Sequence, residues 1–147
     1  MWISFAKTAM PDEFVVDASV AAKLYFIEEQ SDLAANVLRA ANRLIAPDLI
    51  FIEMASVAAK QVRRGLASME QGASAVTSVA ALMDRTVPMA DLVDRAFQLA
   101  ADSGFSAYDG AYLALAEAED LQVITADEKL VRRAREANMS RLVRRLG

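Results

Sequence analysis

Leu121-Gln122-Val123-Ile124-Thr125-Ala126-Asp127 opens as a β-branched apolar run and closes on an acid. The run lacks the alternation of a half-solvated strand, so it predicts a short strand of a parallel sheet covered on both faces. Asp127 then reads as the cap of a helix reaching about Asn138. Phe14-Val15-Val16-Asp17 has the same order, strand then acid, with a helix predicted over 18–27. Leu44 to Ala46 reads as another short strand. Thr86 to Pro88 and Arg141 to Leu146 read as edge strands, and Pro is tolerated at an edge. Between them the predicted helices run from Ser31, as N-cap, to Ala41, and from Pro47-Asp48 to Arg63-Arg64 before Gly65. Others run from Ser68 to Met83, from Asp91, as cap, to Gly104, and from Ser106, as cap, to about Glu119. Short strands alternating with helices of ten or more residues predict an α/β fold. The expected architecture is a three-layer α/β/α sandwich with a short central parallel sheet of about five strands. Residues 1–12 read as a poorly structured lead-in and residues 13–147 as a single domain, with no internal repeat.

Composition narrows the chemistry. The chain has 147 residues, 55% hydrophobic and 24% charged, enough for one domain with a real core. It has no Cys, which excludes disulfides, thiolate zinc sites and cysteine nucleophiles. It has no His, which removes the Ser-His-Asp triad and most zinc or iron sites. Carboxylates, hydroxyls, Lys and Arg remain. No apolar run approaches the ~18 residues of a membrane helix, and Met1 to Glu13 has no signal-peptide pattern. A cytoplasmic protein with no membrane association is expected. The net charge is −4; residues 1–125 carry 9 basic against 17 acidic residues, and residues 126–147 carry 7 against 3. The basic tail reads either as a phosphate-binding rim or as a solvated helix face with cations near its C-terminus.

Four acids stand in apolar surroundings: Asp17, Glu53, Asp109 and Asp127. A buried carboxylate is costly unless it is paired or bound to a metal. Each has an ordinary structural alternative. Asp17 and Asp127 follow strands and fit as N-caps, although functional groups of open parallel sheets also gather there. Asp109, three residues after Ser106, fits a capping box and favours the helix dipole. Glu53 resists such a reading. Residues 49–59 are apolar at nearly every position except Glu53 and Ser56, and no basic residue lies three or four positions from Glu53. Brought together by one fold, the four would suit a hard divalent cation such as Mg²⁺ or Mn²⁺.

In four segments the chain resembles the PIN-domain family, and within it the VapC toxins of prokaryotic toxin–antitoxin pairs. They are Phe14-Val15-Val16-Asp17-Ala18-Ser19, the stretch from Ala46-Pro47-Asp48-Leu49 to Glu53, the stretch from Ser106-Ala107-Tyr108-Asp109-Gly110-Ala111-Tyr112 to Glu117, and Val123-Ile124-Thr125-Ala126-Asp127-Glu128-Lys129. The third is the most specific. The resemblance implies cleavage of single-stranded RNA with one or two Mg²⁺ or Mn²⁺ ions held by Asp17, Glu53, Asp109 and Asp127. It further implies that Thr125 supports the metal or its water and that Ser19 is a polar neighbour of the first acid. A VapB-like antitoxin and a homodimer follow from it as expected partners, the dimer surface lying on the apolar helices between Ala34 and Met83. Two positions depart from the family pattern. Ser56 stands where Asn is frequent, and Gly110 where Ala is frequent; Gly keeps the pocket open but weakens the helix by about 1 kcal/mol.

With no His to serve, Asp109 or Asp127 is expected to orient the attacking water. Like charge should raise the pKa of at least one acid while no metal is bound. Lys60, Arg63, Arg64, Lys129, Arg132 and Arg133 are candidate phosphate contacts. The alternatives are a PIN-type RNA-processing nuclease outside toxin–antitoxin systems and a catalytically silent PIN-like binding module. An aspartyl phosphatase is disfavoured because Ser19 occupies the position of its second acid.

Overall fold

The computed structural model describes residues 12–147. Five strands, β1 (Glu13–Val16), β2 (Arg43–Pro47), β3 (Arg85–Val87), β4 (Gln122–Thr125) and β5 (Val143–Arg145), form one sheet in the order β3-β2-β1-β4-β5. Every neighbouring pair is parallel. Val15, Val16, Ile45, Ala46 and Val123 are wholly shielded from solvent. That burial on both faces is the reason the strands show no polar alternation, and each buried Val or Ile side chain contributes about 1.5–3 kcal/mol.

Seven helices connect the strands: α1 (Ala18–Ala21), α2 (Ser31–Ala40), α3 (Leu49–Arg63), α4 (Met69–Leu82), α5 (Val93–Ser103), α6 (Ala107–Glu119) and α7 (Glu128–Glu136). From β1 the chain steps outward to β2 and β3, then returns past β1 to β4 and steps outward to β5. Right-handed crossovers therefore put α1 to α4 on one face and α5 to α7 on the other, giving the three layers. Helices α3 and α4 pack as one pair, α5 and α6 as another, and α6 lies across β1, β2 and β4. The strand order reverses between β1 and β4. At such a point the adjacent connections leave toward opposite faces and open a crevice at the carboxyl ends of the strands.

Most of the expected helix boundaries hold, for the expected reasons. Helix α3 ends at Gly65, which adopts the left-handed φ of +73°. Helix α4 starts on a full capping box, in which the Ser68 hydroxyl accepts from the Gln71 amide and the Gln71 side chain accepts from the Ser68 amide.

Three expectations are corrected. The helix expected over 18–27 is α1 followed by one 3-10 turn, Ala22–Leu24. Phe26 is buried, and the loop after it gives its backbone groups other partners: Lys23 donates to the Glu29 carbonyl at 2.6 Å, and Ser31 donates to the Phe26 carbonyl at 3.2 Å. Ser31 is consequently the first residue of α2 rather than its cap, with Gln30 before it in the left-handed region. Asp91 also caps nothing. It closes the 3-10 turn Met89–Asp91, and α5 starts after Leu92 with no side-chain cap. That turn is anchored instead from the start of α3, because Asp48 accepts from the Met89 amide at 3.0 Å. The lead-in expected over residues 1–12 lies outside the described residues except for Asp12, whose carbonyl accepts from the Asn42 amide. No helix is long and apolar enough to cross a membrane among the described residues.

Candidate active site at the strand reversal

Asp17 leaves the end of β1, and its amide donates to the Ile124 carbonyl at 3.1 Å. This places it beside Thr125, the last residue of β4. Asp17 and Thr125 are the two buried polar side chains among the described residues, and they bond to each other. Asp17 Oδ2 accepts from Thr125 Oγ1 and from Ser19 Oγ, both at 2.7 Å. Each hydroxyl is oriented from behind: Thr125 Oγ1 accepts the Asp127 amide and Ser19 Oγ accepts the Ala126 amide, both at 3.0 Å. A hydroxyl that accepts a backbone proton turns its own proton elsewhere, here onto the carboxylate. Asp17 occupies the N-cap position of α1 yet makes no side-chain cap bond, so its carboxylate is free of that structural duty.

Asp127 does serve as a cap, accepting the Lys129 amide at 2.9 Å through Oδ1. Asp109 lies in the first turn of α6, where the Ser106 hydroxyl accepts its amide at 3.0 Å. Glu53 lies in the second turn of α3. The missing partner of Glu53 is Tyr112, whose hydroxyl donates to Oε1 at 2.6 Å across the crevice. The helical-neighbour rule looks only along one helix and misses it. The available signal was a Tyr three residues after an acid on an otherwise apolar helix.

Electrostatics ties the four together. Burial pushes the Asp17 carboxyl up from the ordinary range; its two hydroxyl donors pull it back, and the charge of Asp127 adds to the rise. Burial likewise raises Glu53 against the pull of Tyr112, with the charges of Asp17 and Asp109 adding. Asp109 is pushed up to about 6, first by burial and then by the charges of Asp17 and Asp127. Tyr112 is raised as well, by burial and by the Glu53 charge. Mutual repulsion among acids from four different elements is what a crevice built for a cation looks like before the cation is counted. All the donors are oxygen, which suits a hard divalent ion. Among the described residues no three acids form a closed cage around one point. An ion that keeps most of its own water takes one or two carboxylates directly, so an open acidic crevice suits it better than a cage.

The candidate phosphate contacts are scattered around these acids. Lys60 is two turns beyond Glu53 on α3, about 10 Å along the axis, and Arg63 and Arg64 are farther still. Lys129 adjoins Asp127 in the first turn of α7, and Arg132 is exposed on the same helix. In the basic tail Arg133 pairs with Glu136, Arg145 with Glu128, and Arg144 with Asp12 while also lying 5.2 Å from the Phe14 ring centre. These three answer to structure. Ser56 is exposed on α3. Gly110 is explained by packing rather than by pocket space: a Cβ there would meet the Ala96 carbonyl oxygen at 2.8 Å and the Ala96 Cα at 3.1 Å. Helix α5 crosses α6 at that point, and only Gly permits the approach. Nearby, Arg95 of α5 grips Glu117 of α6 with two hydrogen bonds, which lowers the Glu117 pKa.

Known proteins resemble this chain in sequence and in fold. Residues 14–136 match the PIN domain. The chain is similar to Ribonuclease VapC3 of Pyrobaculum aerophilum, 33% identical over 120 residues that cover 80% of this chain and 92% of that protein. It is similar to Ribonuclease VapC9 of Mycobacterium tuberculosis, 34% identical over 116 residues covering 79% and 87%. The crystal structure of PAE2754 from Pyrobaculum aerophilum has the same fold, with a TM-score of 0.64 at 22% identity over 90% of this chain and 98% of that one. So has VapC20 of Mycobacterium tuberculosis, a toxin that cleaves the sarcin-ricin loop, with a TM-score of 0.65 at 16% identity over 82% and 94%. A match over residues 14–136, joined to relatives aligned along most of both chains, means that this chain belongs to the PIN domain family.

Proposed function

We propose that the chain is a divalent-metal-dependent endoribonuclease of the VapC toxin type, hydrolysing phosphodiester bonds of single-stranded RNA. The observation that carries this reading is the gathering of Asp17, Glu53 and Asp109 at the strand reversal, each carboxyl raised by burial and by the charge of a neighbouring acid, Asp127 among them. The ribonuclease names of the VapC3 and VapC9 relatives support it. Enzymes of this family use divalent metals. In this reading Asp17, Glu53, Asp109 and Asp127 hold one or two Mg²⁺ or Mn²⁺ ions and residues 13–147 act as one nuclease domain. A bound ion of this kind supplies Lewis acidity to the scissile phosphate and to the attacking water.

The chain's own groups divide the remaining work. Thr125 and Ser19 hold Asp17 in one orientation by occupying Oδ2, leaving Oδ1 for the cation. Tyr112 holds Glu53 in the same way. Asp109 or Asp127 orients the attacking water; the Asp109 carboxyl is raised to about 6 only while the crevice holds no cation, and the Asp127 carboxylate also accepts from the Lys129 amide. The enzyme acts in the cytoplasm, forms a homodimer and is held inactive by a VapB-like antitoxin protein.

The test is cleavage of a mixed-sequence single-stranded RNA by partner-free protein with Mg²⁺, Mn²⁺ or EDTA, alongside Asp17→Ala and Glu53→Gln. Metal-dependent cutting that disappears in both variants is expected. Cutting that survives both substitutions would remove this site from the reaction, and no cutting by the metal-loaded parent would favour a binding module.

A further inference from the structure

Seven large apolar side chains are exposed among the described residues, and two of them directly precede an acid of the site: Ile52 before Glu53 and Tyr108 before Asp109. Tyr108 is 63% exposed on the first turn of α6. It stands four residues before Tyr112, so the two rings share one stripe of the helix. Tyr112 turns its hydroxyl onto Glu53, which fixes that stripe as the one facing α3 and the crevice. Helical side chains lean toward the N-terminus. Tyr108 therefore stands on the same stripe of α6 one turn farther out than Tyr112, exposed on the side from which Tyr112 reaches Glu53.

A polyanion meets a difficulty at this crevice. The acids repel it, Lys60 is about 10 Å from Glu53 along α3, and three arginines of the tail are already paired with acids. Lys129 and Arg132 stand on α7 beside Asp127 rather than on the helices that carry Glu53 and Asp109. An aromatic face holds a nucleobase without regard to charge and accepts any base. We propose that the Tyr108 ring is a stacking platform for an unpaired nucleobase beside the phosphate to be cut. This deepens the ribonuclease reading and rests on it. Bases inside a duplex are already stacked on one another, so the platform selects single-stranded substrate.

The experiment compares Tyr108→Ala, Tyr108→Phe and Tyr108→Trp in steady-state cleavage of mixed-sequence single-stranded RNA with Mg²⁺. Phe97→Ala serves as control, removing an equally exposed aromatic from α5, a helix that carries none of the four acids. In parallel, a short single-stranded RNA containing 2-aminopurine is titrated against Glu53→Gln protein with and without Tyr108→Ala, reading base fluorescence. Tyr108→Ala is expected to raise KM about tenfold with a smaller change in kcat. Phe and Trp should stay within about twofold of Tyr, Phe97→Ala should match the parent, and quenching of 2-aminopurine should require the ring. Unchanged cleavage and quenching in Tyr108→Ala would overturn the proposal, as would a loss in Tyr108→Phe equal to that in Tyr108→Ala. A parent protein that cuts no RNA while its Tyr108-dependent quenching persists would sink the ribonuclease reading and leave the platform standing.

Discussion

The two sides of the acidic crevice are built differently. On the sheet side, Asp17 and Thr125 end neighbouring strands, are buried, and are locked by a chain of hydrogen bonds that runs back into the backbone at Ala126 and Asp127. On the helix side, Glu53 and Asp109 sit in the opening turns of α3 and α6, are partly exposed, and depend on one Tyr hydroxyl and on the crossing of α5 with α6. The sheet side is rigid because strand register sets it. The helix side is held by packing and by two single hydrogen bonds, Tyr112 to Glu53 and the Asp109 amide to Ser106, and the Asp109 carboxyl is pushed up to about 6 there.

The largest effect should come from breaking the rigid half. Thr125→Val keeps the shape but removes the donor to Asp17 and the acceptor of the Asp127 amide. It should cost about 3 kcal/mol in urea unfolding and abolish most RNA cleavage, whereas Thr125→Ser should retain both functions. Stability matching the parent would mean that the network is incidental. Gly110→Ala comes next. Although Ala favours a helix, its Cβ meets Ala96 backbone that cannot swing aside, so α6 must shift and carry Asp109 and Tyr112 with it. A loss of about 1–3 kcal/mol is expected, with cleavage falling in step; a net gain in melting temperature would show that α5 yields freely.

Smaller effects should follow on the helix side itself. Tyr112→Phe removes the single donor to Glu53 and should cost about 1 kcal/mol, with a further rise in the Glu53 pKa readable by carboxylate NMR. The last comparison is one of pH. Asp109 binds its proton more tightly folded than unfolded, with values near 6 and 3.8, so the fold takes up protons between those limits. In metal-free protein the stability contributed there is highest below about pH 4 and declines as pH rises through about 6. Asp109→Asn should flatten that decline and raise the metal-free melting temperature at pH 8 by about 2–4 °C. Added divalent metal should reverse the decline in the parent and do less in the variant; a pH profile identical in the two proteins would mean that Asp109 is not strained.

Much of this molecule is legible along the chain. The apolar runs around Val15, Ile45 and Val123 announce buried strands, Ser68 and Gly65 mark helix ends, and the acids at Asp17, Glu53, Asp109 and Asp127 stand out because their neighbours are apolar. Local errors arose where a polar side chain had a distant use. Asp48 anchors Met89, so the turn that holds Asp91 is set from the start of α3 and α5 starts later, and Ser31 serves the loop carbonyl of Phe26 instead of capping α2. The same blindness hid the function of Gly110, whose reason is Ala96 on another helix.

What the sequence by itself determined is the five strands, most of the helices and their order, and it set four acids apart as candidates, since each of these is written in residues near one another. Tertiary structure alone decided that β4 pairs with β1, so that Asp17 meets Thr125 across 108 residues, and that Tyr112 reaches Glu53 across 59. Strand order and helix crossing are chosen by the burial of whole faces against one another, and no window along the chain contains both faces.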